Sequence, residues 1–190
     1  MRLSLFANAA LAPILTPLSA LSPHETSTVL LSSIPSEARR QLRTASQNAF
    51  GPDALLLLDG MDLLSEDGWQ NGDIPLIVPN VHNVVALLLG SDDAYRHLFS
   101  FYDGSLCWFL PGTHQEFFCS PQADCQALCY LTDTQMDLPD KSLKARTIAQ
   151  LQQWDYLEAP CNFSLLESLL GGQWETENTM IFGPGELVQL

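Results

Sequence analysis

Short apolar runs bounded by Gly, Pro, Asp or Asn occupy much of the chain, a pattern typical of strands joined by turns. Because Pro75 cannot donate a hydrogen bond to a neighbouring strand, we expect the run that contains it at a sheet edge or at a bulge. The predicted strands of this kind cover residues 54–58, 74–78, 84–89, 179–182 and 186–190.

Residues 95–110 carry the strongest local signal in the chain, that of a β-hairpin. Asp103-Gly104 lies between two apolar runs, and this dipeptide favours a two-residue turn with positive φ. The register of such a turn divides the side chains between two faces. We expect Tyr102, Asp103 and Ser105 on the outer face, and Phe99, Phe101, Leu106 and Trp108 in the core.

Helical patterns flank the predicted strands. Ala38, Leu42 and Ala45 recur at helical spacing before Gly51-Pro52, which predicts a helix that ends there. After a strand at 115–119, further helices are predicted from Ser120-Pro121 through Cys129, over 142–157 and over 163–170. The predicted fold class is α+β, an antiparallel β-meander of about five or six strands packed against N-terminal and C-terminal helices.

The N-terminal residues 1–31 are interpreted separately, as a leader, an ordered arm or a signal peptide. Residues 1–22 combine an early Arg2 with an uncharged apolar stretch, which is the outline of a secretory signal. Pro13 and Pro17 interrupt the stretch, and it is too short for a membrane span. We expect residues 32–190 to form a single domain, and the cytoplasm is favoured over secretion.

The chain is strongly acidic, with 22 Asp and Glu residues against 8 Lys and Arg residues and a net charge of -14. All of the acidic residues except Glu25 and Glu37 lie in residues 53–190. A body of this charge repels phosphate backbones, so we expect no nucleic-acid partner. It suits a protein partner with a basic or mixed surface, although net negative charge also serves solubility alone.

The five cysteines are odd in number and irregularly spaced, which does not indicate a disulfide framework. Because no Cys-x-x-Cys pair is present, we expect buried or incidental thiols, no metal and no cofactor. The sequence contains no phosphate-binding loop, nucleophile elbow or His-Glu-x-x-His motif. For a thiol-dependent enzyme, His114 beside Cys107 or Cys119 is the pair to consider.

The sequence favours a non-catalytic acidic interaction protein, an adaptor or an inhibitor of the immunity type. The order of a helix, a meander and further helices is similar to that of small toxin-neutralising immunity proteins, in architecture alone and without a shared motif. One alternative is a secreted small effector or enzyme, if residues 1–22 are a signal peptide; the other is a thiol- or metal-dependent enzyme. The predicted partner-binding residues are Asp67, Trp69 and Asp73 in the acidic 59–73 loop, with Tyr102 and Asp103 at the hairpin turn.

Overall fold

The structure is a computed structural model that describes residues 1–47, 51–64, 69–112 and 125–188, with Trp69 described by its backbone alone. Within these residues it contains ten strands and six α-helices. The strands are Arg2–Asn8 (β1), Glu25–Leu31 (β2), Ala54–Leu57 (β3), Trp69–Gln70 (β4), Leu76–Pro79 (β5), Leu106–Phe109 (β6), Ala127–Thr132 (β7), Asp155–Pro160 (β8), Thr179–Phe182 (β9) and Leu187–Val188 (β10). The helices are Ala12–Leu21 (α1), Pro35–Ser46 (α2), Val84–Leu89 (α3), Asp92–Phe101 (α4), Ser142–Gln152 (α5) and Ser164–Leu170 (α6).

Five of the strands form a mixed, mostly parallel sheet in the order β2-β1-β3-β5-β9. The first four strands are parallel to one another, and β9 is antiparallel to β5. A second sheet, β6-β7-β8, is wholly parallel, and β4 pairs with β10 in a short antiparallel ladder. The protein is therefore α+β, with one mixed and one parallel sheet.

The predicted antiparallel meander is wrong. Parallel neighbours need a long crossover connection, and α1, α2 and α5 lie in the connections β1–β2, β2–β3 and β7–β8. The local patterns predicted strands without specifying which strands are neighbours. The similarity to immunity proteins loses its basis, because it depended on the meander.

The predicted strand at 84–89 and the first arm of the predicted hairpin are helices. The Asn83 side chain accepts hydrogen bonds from the backbone N–H groups of Val85 and Ala86 and so caps α3, which ends at Gly90 with φ 82°. Ser91 caps α4, whose first turn carries two aspartates. The positive φ expected at Asp103-Gly104 is confirmed, but this turn joins helix α4 to strand β6.

Two further helix predictions differ from the structure: one helix is shorter than predicted, and part of the other is a strand. The helix expected over 142–157 stops at Gln152, because Gln153 adopts a left-handed conformation with φ 61° and the chain then enters β8. Leu143 and Leu151 of the expected apolar stripe are 78% and 77% exposed, and the buried face of α5 consists of Ala145 and Ala149. Residues 127–132 form a strand and not the predicted helix, while Ser120-Pro121 and the strand at 115–119 lie outside the described residues.

Several predictions from local pattern are confirmed. The helix before Gly51-Pro52 is α2, with Ala38 and Leu42 buried, and the buried strand at 54–58 is β3. The helix over 163–170 and the strand over 179–182 correspond to α6 and β9. The expectation of an edge position around Pro75 is wrong, since β5 lies between β3 and β9. Pro75 precedes the strand and contributes only its carbonyl, which accepts from Leu55.

Alternation along the strands divides the interior into three clusters. The central cluster lies between the two sheets and takes alternate residues from both, with the buried faces of α1, α3 and α6. A second cluster covers the other face of the five-stranded sheet under α2, and a third joins the outer face of the three-stranded sheet to α5. Helices therefore cover both faces of the five-stranded sheet, which is a doubly wound arrangement.

Residues 1–31 contribute β1, α1 and β2. Strand β1 pairs with β2 on one side and with β3 on the other, so it lies inside the five-stranded sheet. Leu3, Leu5 and Phe6 are buried there. None of the helices in the described part of the chain combines the length and the apolar character needed to cross a bilayer.

Cys107 in β6 and Cys125 just before β7 form a disulfide, with Cα atoms 6.0 Å apart. The irregular spacing of the cysteines did not indicate a disulfide framework, because spacing in the sequence does not show which cysteines meet in the fold. The bond closes a loop whose sequence separation is 18 residues. A loop of this length corresponds to about 3 kcal/mol of stabilisation in the chain-entropy account.

Candidate functional site

A cavity opens at the carboxyl edge of the five-stranded sheet, where the chain reverses its direction of winding. From β1 the chain passes to β2 on one side, then crosses to β3 on the other side. The carboxyl ends of β1 and β3 therefore flank a topological switch point, the place where open α/β sheets bind ligands. Asn8 ends β1, and Asp59 follows β3 by two residues; both line the cavity.

The cavity has a volume of about 430 Å³, within the range of about 300–1,000 Å³ typical of small-molecule sites. Its walls come from the edge of the five-stranded sheet, the start of α2, the helices α3 and α4, and β6 of the second sheet. It therefore lies between the two sheets. Polar and aromatic side chains of the lining include Asn8, Asp59, Asp62, Asn83, Tyr95 and Trp108.

Asp59 is the unusual group in this cavity. Burial and, to a smaller extent, the nearby Asp62 carboxyl together raise the pKa of its carboxyl from 3.8 to about 6. Within the described residues no hydrogen bond reaches the Asp59 side chain. Such a carboxyl can exchange a proton near neutral pH, or can pair with a cation when it is ionised.

Gly60 permits the chain to turn at this point. Its φ is 84°, and a Cβ atom in its place would collide with the backbone carbonyl of His82. The close approach allows the backbone N–H of Met61 to donate to the Val81 carbonyl at 3.1 Å. Segment 59–63 is thereby held against the residues that precede α3.

Stacked aromatic rings form the opposite wall. The ring of Tyr95 stacks on Phe99, with centroids 5.2 Å apart, and on Trp108, with centroids 5.5 Å apart. Burial raises the pKa of Tyr95, and a hydrogen bond from the Asn83 side chain partly offsets this. The wall therefore presents a fixed aromatic surface with a phenol at its polar end.

A charged group of four residues lies at the rim of the cavity. The Arg96 guanidinium lies within hydrogen-bond distance of His82 Nε2, at 2.9 Å. Asp92 accepts from the backbone N–H of His82 at 2.9 Å and lies 3.6 Å from the Arg96 guanidinium. Burial raises the pKa of Asp62, Asp92 raises it as well, and His82 opposes the shift.

None of the predicted partner-binding residues whose side chains the structure describes lines this cavity. Asp67 and the side chain of Trp69 are outside the described residues, and the Trp69 backbone pairs with Val188. Asp73 is exposed, and its backbone N–H donates to the Ser46 carbonyl at the end of α2. Tyr102 is half-buried against the central cluster, and Asp103 is exposed with φ 49°.

The predicted core face of the hairpin is only partly correct. Leu106 and Trp108 are buried, but Phe101 is 79% exposed because it lies on the outer side of α4. Among the described residues, no hydrogen bond or ion pair joins Asp73 to Tyr102 or Asp103, and their role in partner binding stays a prediction.

Two structural observations bear on the hypothesis of a thiol-dependent enzyme. Cys107 is bonded to Cys125, and the pair members His114 and Cys119 lie outside the described residues. Burial raises the pKa of Cys129 and of Cys161 to about 12, which makes both poor nucleophiles. Among the described residues, no group of three or more His, Cys, Asp or Glu side chains has the arrangement of a metal site.

Sequence reasoning missed the cavity, although a signal was present. Asn8 and Asp59 each directly follow an apolar run, and polar residues at that position lie at the carboxyl end of a strand. In an antiparallel meander such residues would alternate between opposite edges of the sheet. Only the parallel arrangement places Asn8 and Asp59 at the same edge.

No family model, no curated protein and no solved structure matches this chain. The fold and the cavity therefore carry the functional argument by themselves.

Proposed function

We propose that the protein binds a small organic molecule in the cavity at the carboxyl edge of its five-stranded sheet. The observation that carries the proposal is Asp59, a carboxyl without a hydrogen-bond partner in the described residues, held inside a cavity of about 430 Å³ at the switch point. Asp59 is half-buried, and a carboxyl without a hydrogen-bond partner in a partly desolvated site often marks a functional site, because its charged form is costly there. The aromatic wall supplies the apolar contact area that a small ligand needs.

A cavity-filling variant tests the proposal. Val84 lines the cavity and is buried, so Val84→Phe places additional carbon atoms where a ligand would lie. We expect ligand-observed NMR with a fragment library to find compounds that bind the unmodified chain. Val84→Phe should weaken their binding by about tenfold or more, a loss of about 1.4 kcal/mol.

The matched control is Val29→Phe, at a half-buried valine of the edge strand β2 that does not line the cavity. The same increase in volume there should leave fragment binding unchanged. Both variants are first checked for cooperative thermal unfolding, so that loss of fold is not taken for loss of binding. The proposal is wrong if no fragment binds, or if both variants affect binding equally.

The interaction-protein hypothesis stays a prediction alongside this proposal. Its support is the acidic charge of the chain together with the exposed carboxyls of Asp73 and Asp103. A pull-down with the full chain as bait should lose a captured partner when Trp69 and the Asp and Glu residues of 59–73 are replaced. An unchanged set of captured proteins would contradict the loop as the contact surface.

A further inference from the structure

We infer that the cavity is built for an organic cation, an ammonium group carried on an apolar or aromatic body. This inference rests on the proposed function and names the chemical class of the ligand. The first observation is the charge of the lining, which contains the carboxyls of Asp59 and Asp62 and no Lys, Arg or His in the described part of the chain. The Asp59 carboxylate would repel an anionic ligand, since the described lining contains no basic side chain.

The Arg96 guanidinium, which does not line the cavity, is already paired with Asp92. It lies 3.6 Å from Asp92 and within hydrogen-bond distance of His82, so its charge is directed toward partners outside the cavity lining. A cation entering the cavity would supply the counter-charge that Asp59 lacks. The interaction would be strong, because the site is partly screened from water.

The aromatic wall is the second, independent observation. Tyr95, Phe99 and Trp108 form a stack on the side of the cavity contributed by α4 and β6. Aromatic faces attract ammonium groups through the ring quadrupole, and Trp and Tyr do so best. Carboxyls and aromatic rings in one cavity lining form the combination that recognises an organic cation, whereas a bare metal ion would need a cluster of ligands.

The proton equilibrium of Asp59 makes this inference measurable. The cation pairs with the ionised carboxylate, so binding should weaken as the pH falls through the raised pKa of Asp59, which is about 6. Asp62 and Tyr95 face the same space, and His82, Asp92 and Arg96 lie at the rim. A variant at Asp59 isolates its contribution from that of these neighbours.

The experiment compares three probes of one shape and different charge, 2-phenylethylammonium, 2-phenylethanol and phenylacetate, by isothermal titration calorimetry on the full chain. We expect the cation to bind at least about tenfold more tightly than the other two, in keeping with a charge-assisted contact. Its affinity should fall about tenfold between pH 7.5 and pH 5, since the ionised fraction of Asp59 falls by that factor.

Asp59→Asn should weaken binding of 2-phenylethylammonium by about tenfold at pH 7.5 and flatten the dependence on pH. Asp62→Asn serves as a second cavity variant if the first does not fold. The control is Asp137→Asn, an exposed aspartate with φ 54° outside the cavity lining, where asparagine tolerates the backbone conformation. It removes the same charge and should leave the affinity unchanged.

The outcomes separate this inference from the proposed function. Equal or tighter binding of 2-phenylethanol or phenylacetate, lost in Val84→Phe, would overturn the cation assignment and leave the small-molecule site standing. If Asp137→Asn and Asp59→Asn weaken the binding of 2-phenylethylammonium equally, the effect comes from the net charge of the protein, and the cation assignment is overturned as well. If none of the three probes binds, the cation inference is wrong, and the fragment screen decides the proposed function by itself.

Discussion

Deletion of residues 1–22 is expected to abolish folding. The deletion removes β1, which pairs with both β2 and β3, and α1, whose Ile14, Leu15 and Leu18 lie in the central cluster. Each large buried aliphatic side chain contributes about 1.5–3 kcal/mol of burial free energy. Several such residues together exceed the net stability of an ordinary domain, about 5–15 kcal/mol. The truncated chain should show neither near-ultraviolet circular dichroism nor a cooperative urea transition.

Point variants keep this expectation testable if the truncated chain aggregates. Leu5→Ala in β1 should lower the free energy of unfolding by about 2–5 kcal/mol, because Leu5 is completely buried. Leu21→Ala, at a leucine that is 81% exposed, should change it little. A truncated chain that unfolds cooperatively with unchanged stability would contradict the role of β1. N-terminal sequencing of the protein from its source decides separately whether residues 1–22 are removed, and the secreted alternative stays a prediction until then.

Replacement of Asp59 by Asn is expected to stabilise the unliganded protein by about 2–3 kcal/mol at pH 8, at about 1.4 kcal/mol for each unit of pKa shift. The folded-state pKa of Asp59 is raised from 3.8 to about 6. The folded protein therefore binds this proton more tightly than the unfolded chain does. The stabilising contribution is fully present below pH 3.8 and is lost as the pH rises through 6.

Urea unfolding at pH 4 and at pH 8 measures the effect. The stability gained by Asp59→Asn should be small at pH 4, where the wild-type carboxyl is protonated in the folded state, and should reach its full size at pH 8. Asp137→Asn, at an exposed position, is the control and should have little effect at either pH. Equal effects of Asp59→Asn on stability at the two pH values would show that the pKa of Asp59 is not raised in the folded state. A gain in stability combined with a loss of binding is the behaviour expected of a ligand site.

The residues of the cavity illustrate why sequence reasoning reached only part of the site. Asn83 was not identified as a cap, because an apolar run as short as 84–89 has no periodicity that distinguishes a buried helix from a buried strand. All six residues of α3 are buried, so the helix is apolar on every side and its sequence shows no alternation of apolar and polar positions. Trp108 was assigned correctly to the core, but its ring stacking with Tyr95 depends on α4 packing beside β6.

The sequence by itself determined the elements whose signals are local. Capping and turn residues with helical spacing specify α2 and α6, an apolar run between turn residues specifies β3, and Asp103-Gly104 has the positive φ that the dipeptide favours. These features depend on interactions between residues close in the chain. The acidic net charge is also available from the sequence, because it depends on composition alone.

Only the tertiary structure decided which strands are neighbours, and with them the site. The order β2-β1-β3-β5-β9 arises from pairing between segments far apart in sequence, and several strand orders satisfy the same local pattern. That order brings the ends of β1 and β3 together and encloses Asp59 between two sheets. The carboxyl owes its raised pKa to this enclosure, because desolvation is a property of the surroundings that a fold creates and not of the residue in its sequence.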